Sequence, residues 1–170
     1  MITQTNGRFI FALTFAAALG TGLNAGVFFV FSSFVMPALA RLPAAQGIAA
    51  MQSINVAVIN LSFAVVLFGT ALVCLVLIVL ALMRRQRPGA GYQLAGGLLY
   101  LIVTMLVTFA CNVPLNNALD KVVPTSAEGA HFWDGFLSSW IAWNHVRTVG
   151  ALAAAASFTV AIFRLGEGEK

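Results

Sequence analysis

Leu61-Ser-Phe-Ala-Val-Val-Leu-Phe-Gly-Thr-Ala-Leu-Val-Cys-Leu-Val-Leu-Ile-Val-Leu-Ala-Leu82 decides the fold. At about 1.5 Å per residue this run is long enough to cross a hydrocarbon layer roughly 30 Å thick. It carries no charge and is apolar on every side of a helix, as a lipid-exposed span is. The rest of the chain agrees. Of its 170 residues, 61% are hydrophobic and 8% are charged, against about 25% charged in soluble domains. So little charge cannot cover a water-facing surface, and an all-α integral membrane protein follows.

Outward from this run, the second span extends over about 56–83 and ends in the basic loop Arg84-Arg-Gln-Arg87. A third span covers about 92–112, with Gly96 and Gly97 permitting close packing near its start. Upstream, Pro37 and Pro43 bracket the exit from a first span over about 9–36. That span is far longer than a signal-peptide core of roughly 7–15 residues, so it is read as retained. Gly22 and Gly26 form a small-residue strip on it, suited to a neighbouring helix or to a homodimer. Asn24, a costly amide in mid-span, should face protein or a cavity. Between the first two spans, Ile48, Met51 and Ile54 recur at helical spacing, and Gln52 and Asn55 point elsewhere, toward a polar interior. A fourth, alanine-rich span covers about 143–163 and should pack on the first. The tail Gly166-Glu-Gly-Glu-Lys170 is short and expected to fray. The expectation is a single membrane domain over 1–170, a four-helix bundle with an extra amphipathic interfacial helix.

The net charge of +4 is uneven, and this sets the topology. Arg8, Arg84, Arg85, Arg87, Arg164 and Lys170 fall on one side of the bundle, and Arg41, Lys121 and Arg147 on the other. The positive-inside rule places both termini in the cytoplasm of a multi-pass cell-membrane protein, with loops 37–55 and 113–142 outside. No basic run interleaved with aromatics points to nucleic acid. Cys74 and Cys111 stand apart and outside any metal-binding spacing, so neither a metal site nor a disulfide is expected.

The second outer loop is the unusual part. Asn112-Val-Pro-Leu-Asn-Asn-Ala-Leu119 closes the third span with a proline and three amides. Asn112, Asn116 and Asn117 either partner backbone groups freed by Pro114 or line a site. Thr125-Ser-Ala-Glu128 reads as a capping box. The helix it opens has Phe132, Trp133, Phe136, Leu137 and Trp140 on one face and His131, Asp134, Ser138 and Ser139 on the other, as for a helix lying on the membrane surface.

Few groups can do chemistry. No acidic pair lies inside a span, and there is no phosphate loop or GxSxG. His145 and Arg147 stand at the start of the fourth span. At about 100° per residue they diverge by roughly 200°, so one straight helix cannot aim both at one point. Trp140, Trp143, Asn144 and Arg147 share a side at i, i+3, i+4, i+7 spacing, and His145 is a separate candidate. Arg147 either snorkels to the interface or clamps an anion. His145 is either a satisfied interfacial imidazole or a general base.

Three stretches together carry a family resemblance. They are Phe28-Phe-Val-Phe-Ser-Ser-Phe-Val-Met-Pro-Ala-Leu39, Asn112-Val-Pro-Leu-Asn-Asn-Ala-Leu119 and Trp140-Ile-Ala-Trp-Asn-His-Val-Arg147. The chain resembles the anthrone oxygenase-like family of small four-helix membrane proteins. The resemblance implies oxidation of a flat aromatic or quinone-like molecule by O2, with no metal, flavin or other cofactor. It further implies that Trp140 and Trp143 stack on the substrate, that His145 takes a proton, and that Arg147, with Asn116 or Asn144, holds the oxyanion. The alternative is a non-catalytic membrane module binding lipid, quinone or a partner protein, with the polar side chains serving as helix glue.

Overall fold

The computed structural model describes residues 2–167, with side chains from Gly7; the tail end 168–170, including Lys170 of the basic set, lies outside the described residues. Four helices are long and apolar enough to cross a membrane. They are α1 (Gly7–Leu39), α3 (Leu61–Met83), α4 (Ala90–Leu119) and α5 (Ala127–Glu167). A shorter helix, α2 (Ala44–Ala57), stands between the first two. No strand occurs among the described residues. The spans form a ring in which α1 packs along α5, α5 against α4, α4 against α3 and α3 against α1. The result is the all-α, four-helix multi-pass architecture expected of the composition.

Helix boundaries follow local chemistry. The second span begins at Leu61 and not near Val56, because Asn60 caps it: its extended backbone turns the chain and its side-chain oxygen accepts the Phe63 N–H at 2.9 Å. The fifth helix begins at Ala127, where the Ser126 hydroxyl accepts the Gly129 N–H at 2.9 Å. The cap is therefore Ser126, one residue beyond the start of the expected capping box. The expected surface helix is not a separate element: residues 127–142 and the fourth span form one uninterrupted helix. No proline or glycine lies between Phe136 and Val149 to break it.

At about 1.5 Å per residue α5 is roughly 60 Å long, twice the hydrocarbon thickness. Its first half rises out of the bundle and packs on α2 and the end of α4. Trp133, Phe136 and Trp140 are buried there with Met36, Ile48, Met51 and Leu119. The aromatic face thus fills a second core above the bundle instead of lying in lipid. Gln52 stitches this lobe to α4 by donating to the terminal carbonyls of Leu119 and Val122, both at 2.9 Å. Asn55 donates to Asp120 at 2.9 Å. Gln52 thus bonds carbonyls where α4 ends, and Asn55 bonds the carboxylate just beyond that end.

Inside the bundle the core is small-residue and aromatic: Ala17, Ala25, Ala151 and Ala154 let the backbones approach around Phe28, Tyr100 and Phe158. In lipid this close packing, not burial from water, holds spans together. The glycines divide accordingly. A methyl on Gly97 would lie 2.6 Å from Ile78 Cγ1 and 3.1 Å from the Cys74 carbonyl, whereas Gly22 and Gly26 face open space. The packing face of α1 is instead Ala17, Thr21, Ala25 and Phe28. We expect Gly97→Val to cost about 1–3 kcal/mol by overpacking, read as a lower midpoint of thermal unfolding in detergent. Gly22→Val should leave that midpoint unchanged. Equal effects at the two positions would contradict this packing.

Three spans widen into π-helical turns at one level: Phe31–Val35 in α1, Val65–Gly69 in α3 and Thr108–Asn112 in α4. Two of these turns sit just before prolines, Pro37 and Pro114. A proline ring clashes with the carbonyl four residues back, and a wider turn moves that carbonyl aside, so the helix continues through the proline. In α3 the widened turn presents its carbonyls to neighbours. Tyr100 donates to Leu67 O at 3.1 Å, and Asn24 reaches Val66 O at 3.4 Å while also bonding Gly20 O on its own helix at 2.8 Å.

Candidate functional site

The widened turns surround a pocket of about 160 Å³ at the junction of the bundle and the lobe. Its wall is mostly aliphatic and aromatic, with Phe28 and Phe31 from α1, Leu67 and Phe68 from α3, Phe109 from α4 and Trp140 from α5. Its polar groups are Asn55, Thr108, Asn112, Asn116, Asn144 and Arg147.

Arg147 dominates the electrostatics. It is 6% exposed and held between rings, its guanidinium carbon 4.4 Å from the Phe28 ring centre and 5.3 Å from that of Trp140. Two aromatic faces stabilise a cation but do not neutralise it. Nη2 donates to Asn144 Oδ1, Nη1 approaches Thr108 Oγ1 at 3.5 Å, and Nε has no partner. No carboxylate pairs with it: among the described residues the single ion pair is Arg164–Glu167 at the far end of α5. Arg164 lies roughly 26 Å further along the helix at about 1.5 Å per residue.

The amides hold this cation and its neighbours in place. Asn144 Nδ2 donates to Phe28 O at 2.6 Å and to Ser32 Oγ, tying α5 to α1 while its oxygen faces Arg147. Asn116 Oδ1 accepts the Trp140 indole N–H at 2.7 Å, fixing the ring that flanks Arg147. Asn112 Nδ2 donates to Trp140 O at 3.2 Å, and its oxygen is buried without a partner. An unpartnered acceptor and an unpartnered cationic donor thus belong to the walls of one pocket. Each costs free energy when the pocket is empty.

The structure sorts the residues singled out in the sequence. Trp140, Asn144 and Arg147, at i, i+4, i+7 on α5, come together with Asn112 and Asn116 at the pocket. Trp143 is 42% exposed and lines none of it. Asn117 and His145 are also exposed and outside the lining. The buried face of α5 runs through Trp133, Phe136, Trp140, Asn144, Arg147, Ala151, Ala154 and Phe158, and His145 falls beyond its edge. Phe28, Asn55, Phe68, Thr108 and Phe109 also line the pocket and were not singled out as site residues. A signal for Thr108 was present in the sequence: Thr104, Thr108 and Asn112 recur every four residues along one face of an otherwise apolar span. The phenylalanines carry no such mark. Among the described residues no three His, Cys, Asp or Glu side chains come together, so the pocket wall offers no ligand set for a metal ion.

The family model described as anthrone oxygenase matches residues 59–157. No curated protein and no solved structure matches the chain significantly. The matched segment contains α3, α4 and the part of α5 up to residue 157, which carries Trp140, Asn144 and Arg147. The walls given by α1 and α2, Phe28 and Asn55 among them, lie before it.

Proposed function

The chain belongs to the anthrone oxygenase family, and from that premise we propose that its pocket binds a flat aromatic molecule with an acidic C–H or O–H as its anion, which O2 then oxidises. The carrying observation is Arg147, a buried guanidinium with no carboxylate partner and a free N–H, set in an aromatic-walled pocket. A preorganised cation in a water-poor site favours the form of the ligand that bears negative charge on oxygen. For an anthrone, release of one CH2 proton to water leaves a delocalised carbanion whose oxygen rests on Arg147. O2 accepts electrons from that carbanion and bonds to its carbon, the peroxide anion takes a proton back from water, and the hydroperoxide loses water to leave a carbonyl. Overall one CH2 and one O2 give one C=O and one H2O, so the substrate supplies all four electrons. Phe28 and Trp140 flank the anion, and Asn112 Oδ1 is free to accept from a ligand hydroxyl. In the membrane we place the basic loop and both termini on the cytoplasmic side, as the positive-inside rule favours. The pocket then lies near the outer surface.

Oxygen uptake by the purified protein with an anthrone tests the reading. Turnover is expected above the spontaneous background. His145→Ala should keep it within about twofold, since the imidazole is outside the pocket. A large loss in that variant, with folding intact, would return the proton-transfer role to His145. One observation favours a second reading, binding without turnover: no carboxylate, imidazole or thiol lines the pocket, so the wall itself offers no general base. Saturable binding of an anthrone with no gain over background oxidation would select that reading.

A further inference from the structure

Among the residues that line the pocket, only Phe68 and Phe109 are exposed, at 52% and 49%. Their rings stack on one another across the α3–α4 boundary, with centres 6.2 Å apart and planes 25° from parallel. Each stands in the widened turn of its span. Around them the outer surface is apolar: Val65 and Leu72 on α3, and Ile102 and Leu106 on α4, are all more than half exposed. Such a surface on a membrane-spanning helix faces acyl chains. These two rings therefore stand between the pocket and lipid on its α3–α4 side, and the cation is held on α5. A cavity of about 160 Å³ is close to the roughly 150 Å³ of an engineered apolar cavity that takes up benzene. The pocket accommodates about one ring, and anything longer must extend past the two phenylalanines.

We propose that the ligand is a single-ring phenol or enol carrying an alkyl tail, which reaches the pocket from the bilayer between Phe68 and Phe109. Its acidic oxygen lies on Arg147, its ring lies against Phe28 and Trp140, and its tail passes between the two phenylalanines into the acyl-chain region. This narrows the flat aromatic ligand of the reading above and rests on Arg147 as the anion-holding group; an anthrone would place one of its three rings in the pocket and the others between the two phenylalanines. It explains why the two exposed lining residues are aromatic. Two facing rings close an apolar opening at little cost in lipid and part by side-chain rotation, which occurs on the picosecond-to-nanosecond scale when side chains are exposed.

The test uses the full chain in phosphatidylcholine vesicles and two probes, 2-nitrophenol and 4-dodecyl-2-nitrophenol, whose phenolates are coloured. With the native protein, both should show a stoichiometric phenolate band at a pH where each is neutral in protein-free vesicles. Arg147→Met should abolish it. The double variant Phe68→Trp/Phe109→Trp narrows the opening on a lipid-facing surface without touching Arg147. It should weaken the dodecyl probe about tenfold and leave 2-nitrophenol, which fits inside, within twofold. If the Trp pair alters both probes equally, or neither, while the Arg147-dependent band persists, the lipid-side passage is wrong and the anion-holding role stands. If no Arg147-dependent band forms with either probe, the anion-holding role falls and the passage with it.

Discussion

Replacing Arg147 with methionine is expected to lower kcat/KM for O2-dependent oxidation about 10²- to 10³-fold while leaving the protein at least as stable as before. The first expectation follows from the size of a preorganised donor's contribution to stabilising a developing oxyanion in a water-poor site. The second follows from the absence of a carboxylate beside the guanidinium. Removing one member of a buried ion pair is strongly destabilising because it strands the other charge. Here no charge is stranded, only the neutral Asn144 Oδ1, and an apolar side chain of similar length offsets that by relieving the desolvation cost of an unpaired cation. Methionine can also lie between the Phe28 and Trp140 rings, where sulfur–aromatic contact is favourable. Arg147→Lys should fall between the two: it keeps the charge but loses the planar fork that faces Asn144 and Thr108 at once. Oxygen uptake and thermal unfolding measured on the same preparations decide the matter. Activity retained within twofold in Arg147→Met would remove Arg147 from the chemistry. Activity lost together with the fold would make it a structural residue.

The spans were legible because lipid leaves composition little freedom. A run such as Leu61–Leu82 has no other stable environment, and the ring of four helices follows from their lengths and short connections. What lay beyond reach was the relation between neighbouring segments. The aromatic face of residues 127–142 reads equally well as a face for lipid or as half of a core. Only the partner surface on α2 and the end of α4 decides between them, and the pattern within one helix carries no information about it. The same holds for the site. The spacing of Trp140, Asn144 and Arg147 was readable because all three lie on one helix, whose geometry is fixed. Trp143 shares their approximate direction, yet it falls outside the packed face once α1 and α4 close on Asn144 and Arg147. Phe28, Phe68 and Phe109 come from three other helices, and a phenylalanine in an apolar span looks the same whether it faces lipid, core or ligand. The widened turns that open the pocket were not anticipated either. Pro37 and Pro114 signalled a disturbance in each helix, but the sequence does not say whether a helix kinks, ends or widens at a proline.

Asn144 is where fold and site are joined, and Asn144→Leu is expected to be the most destabilising single change in the pocket wall. Leucine fills nearly the same volume, so the effect isolates polar connections from packing. Three are lost together: the donations to Phe28 O and Ser32 Oγ that bind α5 to α1, and the acceptor that faces Arg147. With Asn144 gone, the buried guanidinium keeps only the long contact to Thr108. A buried charge deprived of its main hydrogen-bond partner costs more than a neutral group so deprived, and the expected total is about 3 kcal/mol or more. Ser32→Ala removes a single hydroxyl from the same network and should cost about 1 kcal/mol or less. Most of the Asn144 penalty is thus assigned to the stranded cation, and a double-mutant cycle checks the assignment. In an Arg147→Met background no charge remains to strand, so Asn144→Leu should keep well under half of its effect on thermal unfolding. An undiminished effect in that background would place the penalty in the α1–α5 tie alone and would show that Asn144 serves the bundle and not the cation.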